Sequence, residues 1–600
     1  MAAKKLKGDG SATAQGGGDK GRPVEKETAN FMRSLCMGEI LEELVIPFPK
    51  VKKEEAESLK TMFDSLSSWL KTRDNEFRQW DVKGEMPDSF VQEMREFGLF
   101  GLIVPEEHGG LGFSATAYSR ALQELARYDA SVAITAGAHS SIGMRGLILD
   151  GTDAQKKKYL PKLATGEMIA AFCLTEPGAG SDAAALRTKA VRKGDKWYLT
   201  GEKLWITNGG IADFFTVFAL TDGSEGKMTA FIVRRDMKGV RSGPHEDKMG
   251  LRASVTTSVY FDNVELGQED VLGEVGKGFK LAMRILNTGR TGLGGGCVGA
   301  MKKVIALASK QAKERKQFNQ SISEFGLIKQ KIGHMVVDCY ATESVVCMVA
   351  GLVDQGYKDY AVEAAISKIF ATEAAWRTID ESLQIAGGNG YMREFPYERM
   401  QRDSRINRIF EGTNDILRLF VALTAMNDVG HQLKELASTV GNVLTDPIKG
   451  FGVISDYARK HLTYATGIGK ASLANVHPKV KPFAEKFDEC VGQLAAAADR
   501  ILRKHGKKIV EKQFATRRLA DIMIDLYVLA CVISRVSTAL AEKGVKGAAK
   551  ELSILEVFSG QVSRRVRGNF NKIDDNDDEL IKELSDHAVA SEGYTWDNVL

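Results

Sequence analysis

The stretch WYLTGEKLWITNGGIADFFTVFALTD, residues 197–222, decides the fold. Its short β-branched and aromatic runs are separated by Gly, Asn and Asp, which is the pattern of strands joined by turns. The same texture continues in MTAFIVRRD (228–236) and SVYFDNVEL (258–266), with no helical crossover between the runs. Residues 166–275 therefore read as a compact antiparallel barrel or sandwich rather than a parallel sheet.

Outward from this β domain the period changes to that of helices. Upstream, over 28–165, Met62, Leu66, Trp69 and Leu70, then Phe90, Val91, Met94 and Phe97, fall on helical faces. The turn-rich PEEHGGLGF (105–113) interrupts them, and loops of this kind often border ligands. Downstream, over 276–430, Leu327, Ile328, Ile332, Met335, Val336 and Cys339, then Ala364, Ala365, Lys368 and Ile369, mark helices of bundle length. That second helical region is broken by GGNGYMREFP (387–396) and RIFEGTND (408–415), both candidate site loops. Residues 431–479 read as a linker and 480–600 as a further helical domain. The Gly-rich residues 1–27 read as a disordered tail. The fold class is α+β and multidomain.

Composition narrows the function. The chain has 600 residues, 44% apolar and 27% charged, with 82 Lys and Arg against 78 Asp and Glu. A net charge of +4 over that length gives no electrostatic case for nucleic acid. Seven scattered cysteines, an odd number without a CxxC pair, argue against a disulfide framework or zinc ribbon. The nine histidines form no HxH or HExxH cluster, so no metal is indicated. The N-terminus lacks the apolar segment of a secretory signal, and the apolar run Leu526–Ile533 is far short of a bilayer span of ~20 residues.

Three segments carry chemistry. AFCLTEPGAGSD (171–182) joins a strand-like start to glycines that admit a ligand close to the backbone, with Thr175 and Ser181 as hydroxyl donors; an ordinary loop fits the same residues. LTGEKLWITNGG (199–210) adds Trp205, either a core residue or a platform for a ring. RIFEGTNDILRLF (408–420) sets Glu411 beside Phe410 and ahead of the capping residues Thr413 and Asn414. Apolar surroundings would raise the pKa of that carboxyl toward general-base usefulness; a surface Glu in a capping turn is the other reading. GLGGG (292–296) sits in a helical pattern with no preceding strand, which argues against a dinucleotide loop.

Together the segments resemble the acyl-CoA dehydrogenase family. TEPGAGSD, GEKLWITNG, KMGLRAS (248–254), ERKQF (314–318), QIAGGNGY (384–391) and FEGTND (410–415) occur in the family's order over residues 50–430. KYLPKLATGE, GAHSSIG, AAISKIF, FEGTNDILRLFVAL and the late KQFATRRLADIMIDLY resemble its very-long-chain branch in particular. The resemblance implies an N-terminal helical domain, a middle antiparallel β domain and a C-terminal four-helix bundle, plus an extra helical C-terminal domain. It implies a homodimeric FAD enzyme that oxidises a long- or very-long-chain fatty acyl-CoA to the trans-2-enoyl-CoA and passes electrons to an electron-transfer flavoprotein. A base takes the proton α to the thioester while hydride leaves the β carbon for flavin N5.

By family position Glu411 is that base. Another branch places its base three residues after the leucine of an LDLER-like segment; here LNTGR has Gly289 at that place. The resemblance assigns the flavin to Phe172, Cys173, Leu174, Thr175, Gly180, Ser181, Trp205, Ile206 and Thr207, with Thr413 and Asp415. It assigns Arg315, Phe318, Gln384, Gly387 and Gly388 to contacts made across a subunit interface. Ser181, Asn287, Arg290, Phe410 and Gly412 match acyl-CoA positions. The Ala- and Gly-rich VAITAGAHSSIG (132–143) leaves room for a long tail. Within 431–470, Leu433, Leu436, Val440, Val443, Leu444, Ile448, Phe451, Val453 and Ile454 suit either a peripheral membrane helix or a cover for the neighbouring domain. The tail lacks the Arg- and Ser-rich character of a transit peptide, which points to a bacterial cytoplasmic protein, with a mitochondrial one as the alternative. An acyl-CoA oxidase and an assembly factor on the same fold are the rival functions.

Overall fold

The computed structural model describes residues 25–222, 227–442 and 472–597, with side chains of 435–442 excepted. Residues 1–24 of the tail expected over 1–27 and residues 443–471 of the 431–479 linker lie outside the described residues, as do the side chains of Leu436 and Val440 and the linker's apolar positions from Val443 to Ile454.

The first helices are α1 (Phe31–Cys36), α2 (Lys53–Leu70), α3 (Asp74–Lys83), α4 (Asp88–Glu96), α5 (Ala115–Tyr128), α6 (Ala130–Ala138), α7 (Arg145–Asp150) and α8 (Asp153–Thr165). Local chemistry sets several boundaries. Thr152 and Gln155 form a reciprocal capping box at the start of α8, and Gly166 ends it at φ 75°. Asp129 starts α6 by accepting from the backbone of Ser131 and Val132. Helices α2 to α6 share a core that includes Leu66, Phe77, Phe90, Leu122 and Val132.

The middle domain holds β1 (Ala170–Cys173), β2 (Lys189–Lys193), β3 (Lys196–Thr207), β4 (Phe214–Thr221), β5 (Met228–Arg234), β6 (Val240–His245), β7 (Thr256–Leu266) and β8 (Val271–Leu272). The strand order is β6-β7-β3-β2-β4-β5-β8, with β1 beside β4. Most ladders are antiparallel, but β4 pairs in parallel with both β1 and β2. Those two pairings were not readable from strand texture, because direction is set by where the loops return. The sheet curls over its own core of Leu199, Val217, Phe231, Val259 and Phe261. Its other face packs Phe214, Phe218 and Ile232 with Leu160 and Leu163 of α8.

The second helical domain comprises α9 (Gly278–Glu314), α10 (Gly326–Asp354), α11 (Ala361–Ala386), α12 (Gly388–Tyr391), α13 (Tyr397–Arg405), α14 (Asn414–Ala425) and α15 (Asn427–Asn442). The glycines of α9 serve close approach: a Cβ at Gly299 would stand 2.0 Å from the Gln123 carbonyl oxygen of α5. By length and composition α10 could cross a membrane, yet 67% of its most apolar window is buried among its neighbours.

The extra domain adds α16 (Lys481–His505), α17 (Gln513–Gly547), α18 (Ala549–Asp574) and α19 (Asp578–Ala590). Its core is continuous with that of α10, α11 and α14. One expectation needs correcting: residues 29–48 do not join the first helical layer. Phe31, Leu35 and Leu44 join the core shared by α11, α14 and the extra domain instead, with α1 against α16 and Phe31 on Tyr527 of α17, and Met32 N–H and Asn30 Nδ2 donate to the buried Glu363 at 3.0 and 2.9 Å.

Candidate active site

The site is built on the turn between α13 and α14. Thr413 caps α14 by accepting from Ile416 N–H at 3.3 Å, and the two residues before it, Glu411 and Gly412, have φ of 58° and 91°. A left-handed glutamate costs about 1–2 kcal/mol, so the surroundings must over-determine it. Two buried cations do so. Arg290 Nε donates to the Glu411 carbonyl at 3.2 Å, and Lys368 Nζ donates to the Gly412 carbonyl and to Asn414 Oδ1, both at 2.8 Å.

Glu411 is half-buried, and its Oε2 is buried with no hydrogen-bond partner among the described residues. Burial pushes its pKa up, while Arg290 and Lys368 oppose the rise. The cations show the converse. Burial lowers Lys368 to about 7, with the Arg290 charge adding to the effect, and lowers Arg290 to about 10. Asn287 Oδ1 accepts from Arg290 Nη1 at 2.8 Å and keeps that guanidinium beside the turn.

The unpaired carboxylate faces a largely apolar cavity. Glu411, Phe410, Ser141, Ile142 and Gly289 line one end. From there the cavity follows Gly292, Gly296 and Ala300 of α9 against Leu122, Ala133 and Gly137, and reaches Lys303 and Asp74. Gly289 to Lys303 is 14 positions, or about 21 Å of helix. A Cβ at Gly289 would lie 3.3 Å from Glu411 Oε2, so the position that holds a base elsewhere does face this site.

On the β side the two segments expected to hold the flavin are pinned together. Buried Lys203 donates to the Leu174 carbonyl at 3.2 Å and to Glu176 Oε1 at 2.7 Å. Leu204 N–H bonds the Thr175 carbonyl at 2.9 Å. A register shift between Lys203 and Ile206 bulges β3 and leaves Trp205 at φ 56° and 63% exposed. Thr207 lines the same cavity as Glu411, whereas Ser181 and Gly180 are exposed on the loop. The side chains of Cys173, Leu174 and Ile206 turn into the cores, and burial raises the Cys173 thiol to about 12. Any contact those three make to a bound ring therefore comes from their main chain.

Arg315, Phe318, Gln384, Gly387 and Gly388 form a separate group. Arg315 lies 26 positions after Gly289, about 39 Å along α9, and Gln384 lies 16 positions after Lys368, about 24 Å along α11, so one chain does not bring them to Glu411. All five are exposed, Phe318 at 88%. Two features escaped the sequence reading. Lys368 registered only as one position in a helical period, although a lone lysine in the apolar run AAISKIFA was its signal. The other is a basic pocket at the start of α14, where Arg377, Arg405, Arg408 and Arg418 surround Thr413 and Asp415. Arg408 Nε is buried there with no partner among the described residues.

Comparison with known proteins agrees with this layout. Residues 56–167, 171–264 and 276–426 match the N-terminal, middle and C-terminal domains of acyl-CoA dehydrogenase, and 478–594 match the ACAD9/ACADV C-terminal domain. The very long-chain specific acyl-CoA dehydrogenase of Macaca fascicularis, a mitochondrial protein, is 43% identical over 97% of this chain and 90% of its own. A crystal structure of an acyl-CoA dehydrogenase with FAD from Bacillus anthracis superposes with a TM-score of 0.77 at 32% identity, covering 92% of this chain and 94% of that one. Butyryl-CoA dehydrogenase of Megasphaera elsdenii, 37% identical at a TM-score of 0.59, covers 62% of this chain and 98% of its own, with no counterpart for the remainder. The chain belongs to the acyl-CoA dehydrogenase family, in its very-long-chain branch, and is an FAD-dependent oxidoreductase acting on acyl-CoA.

Proposed function

We propose that this enzyme dehydrogenates long- and very-long-chain fatty acyl-CoA to the trans-2-enoyl-CoA, with Glu411 as the base that takes the α proton. The observation that carries this is the buried Glu411 Oε2, unpaired among the described residues, at the head of an apolar cavity that runs along α9. An extended alkyl chain advances about 1.25 Å per carbon, so about 21 Å of groove suits a chain of roughly sixteen carbons. Each methylene buried there favours binding by ~0.8 kcal/mol.

Burial raises the proton affinity of the base, and the charges of Arg290 and Lys368 oppose that rise. Phe410 and Ile142 exclude water from the reacting end. The chain's residues fit FAD: Thr175 and Thr207 supply hydroxyls, exposed Trp205 supplies a ring face, and Arg405 and Arg408 at the start of α14, the latter with its Nε unpaired among the described residues, suit phosphates. Bound FAD supplies the hydride acceptor.

Exposed Phe318, Leu327, Tyr391 and Met392 surround the group remote from Glu411 and suit an interface at which a second copy completes the cofactor site. An electron-transfer flavoprotein is the acceptor this reading calls for. The curated relatives include mitochondrial proteins of mammals and bacterial enzymes, so the mitochondrial matrix and the bacterial cytoplasm both suit the role. Glu411→Gln should keep the flavin bound and abolish its bleaching by palmitoyl-CoA; substantial remaining bleaching refutes the base. Peroxide formed in step with turnover would instead mark an oxidase.

A further inference from the structure

A chain of hydrogen bonds runs from the extra domain to the turn that carries Glu411. Arg418 on α14 donates through Nε to Asp521 of α17 at 2.7 Å. The same guanidinium forks onto both oxygens of Glu373 on α11, at 2.7 and 3.0 Å. Glu373 Oε1 accepts from Asn414 Nδ2 at 3.1 Å, and Asn414 Oδ1 accepts from Lys368 Nζ at 2.8 Å. Lys368 then holds the Gly412 carbonyl at 2.8 Å.

We propose that Asp521 and Arg418 are positioning residues for proton abstraction, through which the extra domain holds Lys368 against the Glu411–Gly412 turn. The proposal rests on Glu411 being the base. Its physical ground is that each link has only one productive arrangement. Lys368 is buried and needs acceptors for its ammonium. Asn414 can offer its oxygen only while its amide nitrogen points at Thr372 and Glu373, at 3.0 and 3.1 Å. Burial pushes Glu373 up, yet the Arg418 fork and the Asn414 bond more than offset it and keep the carboxylate ionised. Arg418 in turn uses its fork on Glu373 and its remaining edge on Asp521, so the extra domain fixes the last free direction of the guanidinium.

The consequence is electrostatic as well as steric. Glu411 is faced by Arg290 of α9 and Lys368 of α11. Lys368 is faced by Arg290 and Cys297 of α9, by Glu373 of its own helix and by Glu411. If Lys368 loosens, only Arg290 opposes the burial of Glu411, and the base takes up its proton at a higher pH.

The test follows flavin reduction by palmitoyl-CoA in the FAD-loaded full chain by stopped flow, across pH, for the parent, Asp521→Asn, Arg418→Lys and Asp578→Asn. Asp578 pairs with Arg518 wholly inside the extra domain, with side-chain exposures of 14% and 15%, and controls for general loosening. Asp521→Asn should keep its FAD and its KM, slow reduction about 3- to 10-fold at pH 7, the range for changes along such networks, and move the pH midpoint upward. Arg418→Lys cannot bridge both carboxylates and should show the same shift, which decides the matter if Asp521→Asn fails to fold. Asp578→Asn should follow the parental profile. Parental profiles in both Asp521→Asn and Arg418→Lys, or the same shift in Asp578→Asn, overturn the proposal. Reduction that survives in Glu411→Gln overturns the base assignment separately.

Discussion

At the scale of single residues the proposed chemistry depends on one carboxylate and the space kept clear beside it. Gly289 carries no side chain where a Cβ would meet Ile142 Cγ2 at 2.9 Å and Glu411 Oε2 at 3.3 Å. Gly289→Ala sets about 1 kcal/mol of helix propensity against that contact with Ile142, so the thermal midpoint should stay within about a few degrees of the parent's. It should slow flavin reduction at least about tenfold by displacing the base, since small misplacements of reacting groups are costly. A slow variant that also melts early would point to a packing defect instead. Glu411 was legible in the sequence because its neighbours Phe410, Gly412 and Thr413 are contiguous with it. Lys368 was not, because it acts on a carbonyl 44 positions away and nothing local distinguishes it from a core lysine.

At the scale of elements, α9 sets the length of the cavity and the π-helical segment His139–Gly143 sets the junction of helices and sheet. A Cβ at Gly296 meets only Ala126 Cβ, at 3.8 Å, so the groove is open there. It lies seven positions from Gly289, about 10 Å along the axis, or roughly eight carbons of an extended chain. Gly296→Leu should keep activity on octanoyl-CoA and lose it on palmitoyl-CoA; equal loss on both would place the tail elsewhere. His139 is buried, with Nδ1 accepting from Ala170 N–H at 2.9 Å and Nε2 donating to the Leu163 carbonyl at 3.1 Å. That arrangement requires a neutral ring, and burial lowers its pKa to about 4 from an ordinary 6.5. The stability it contributes is present above pH 6.5 and is lost as pH falls through 4, roughly 3 kcal/mol in all. Melting temperatures taken from pH 7 to pH 4 should show this loss, and His139→Gln, less stable at pH 7, should show a shallower decline. The helical pattern around GLGGG was legible, but the reason for its glycines was not, because Gly292, Gly295 and Gly299 answer to the approach of α5 and Gly294 to Val346 of α10.

At the scale of the molecule, one buried cluster joins Phe31 near the start to Met301, Val346, Ile366, Val421 and Tyr527, and ends at Ile573. Ion pairs reinforce it from several directions: Arg33 bridges Asp359 and Asp428, and Arg535 of α17 meets Glu343 of α10 at 2.7 Å. The division into helical, β and helical parts was legible because residue texture changes sharply near residues 166 and 276. The path of residues 29–48 onto the second helical domain and α17 was not, because an amphipathic period records that a face is covered and not which element covers it. This shared core means that α11, which presents Lys368 to the site, and α17, which presents Asp521 to Arg418, belong to one cooperative unit. Native-state hydrogen exchange followed by mass spectrometry should then show 361–386 and 513–547 losing protection together as denaturant rises, at one free energy of opening. If α17 opened first while α11 stayed protected, the extra domain would be a separate folding unit and would hold the base-bearing turn only through its ion pairs. Joint opening would make every destabilising substitution in α17 appear first as a change in the population of the competent site.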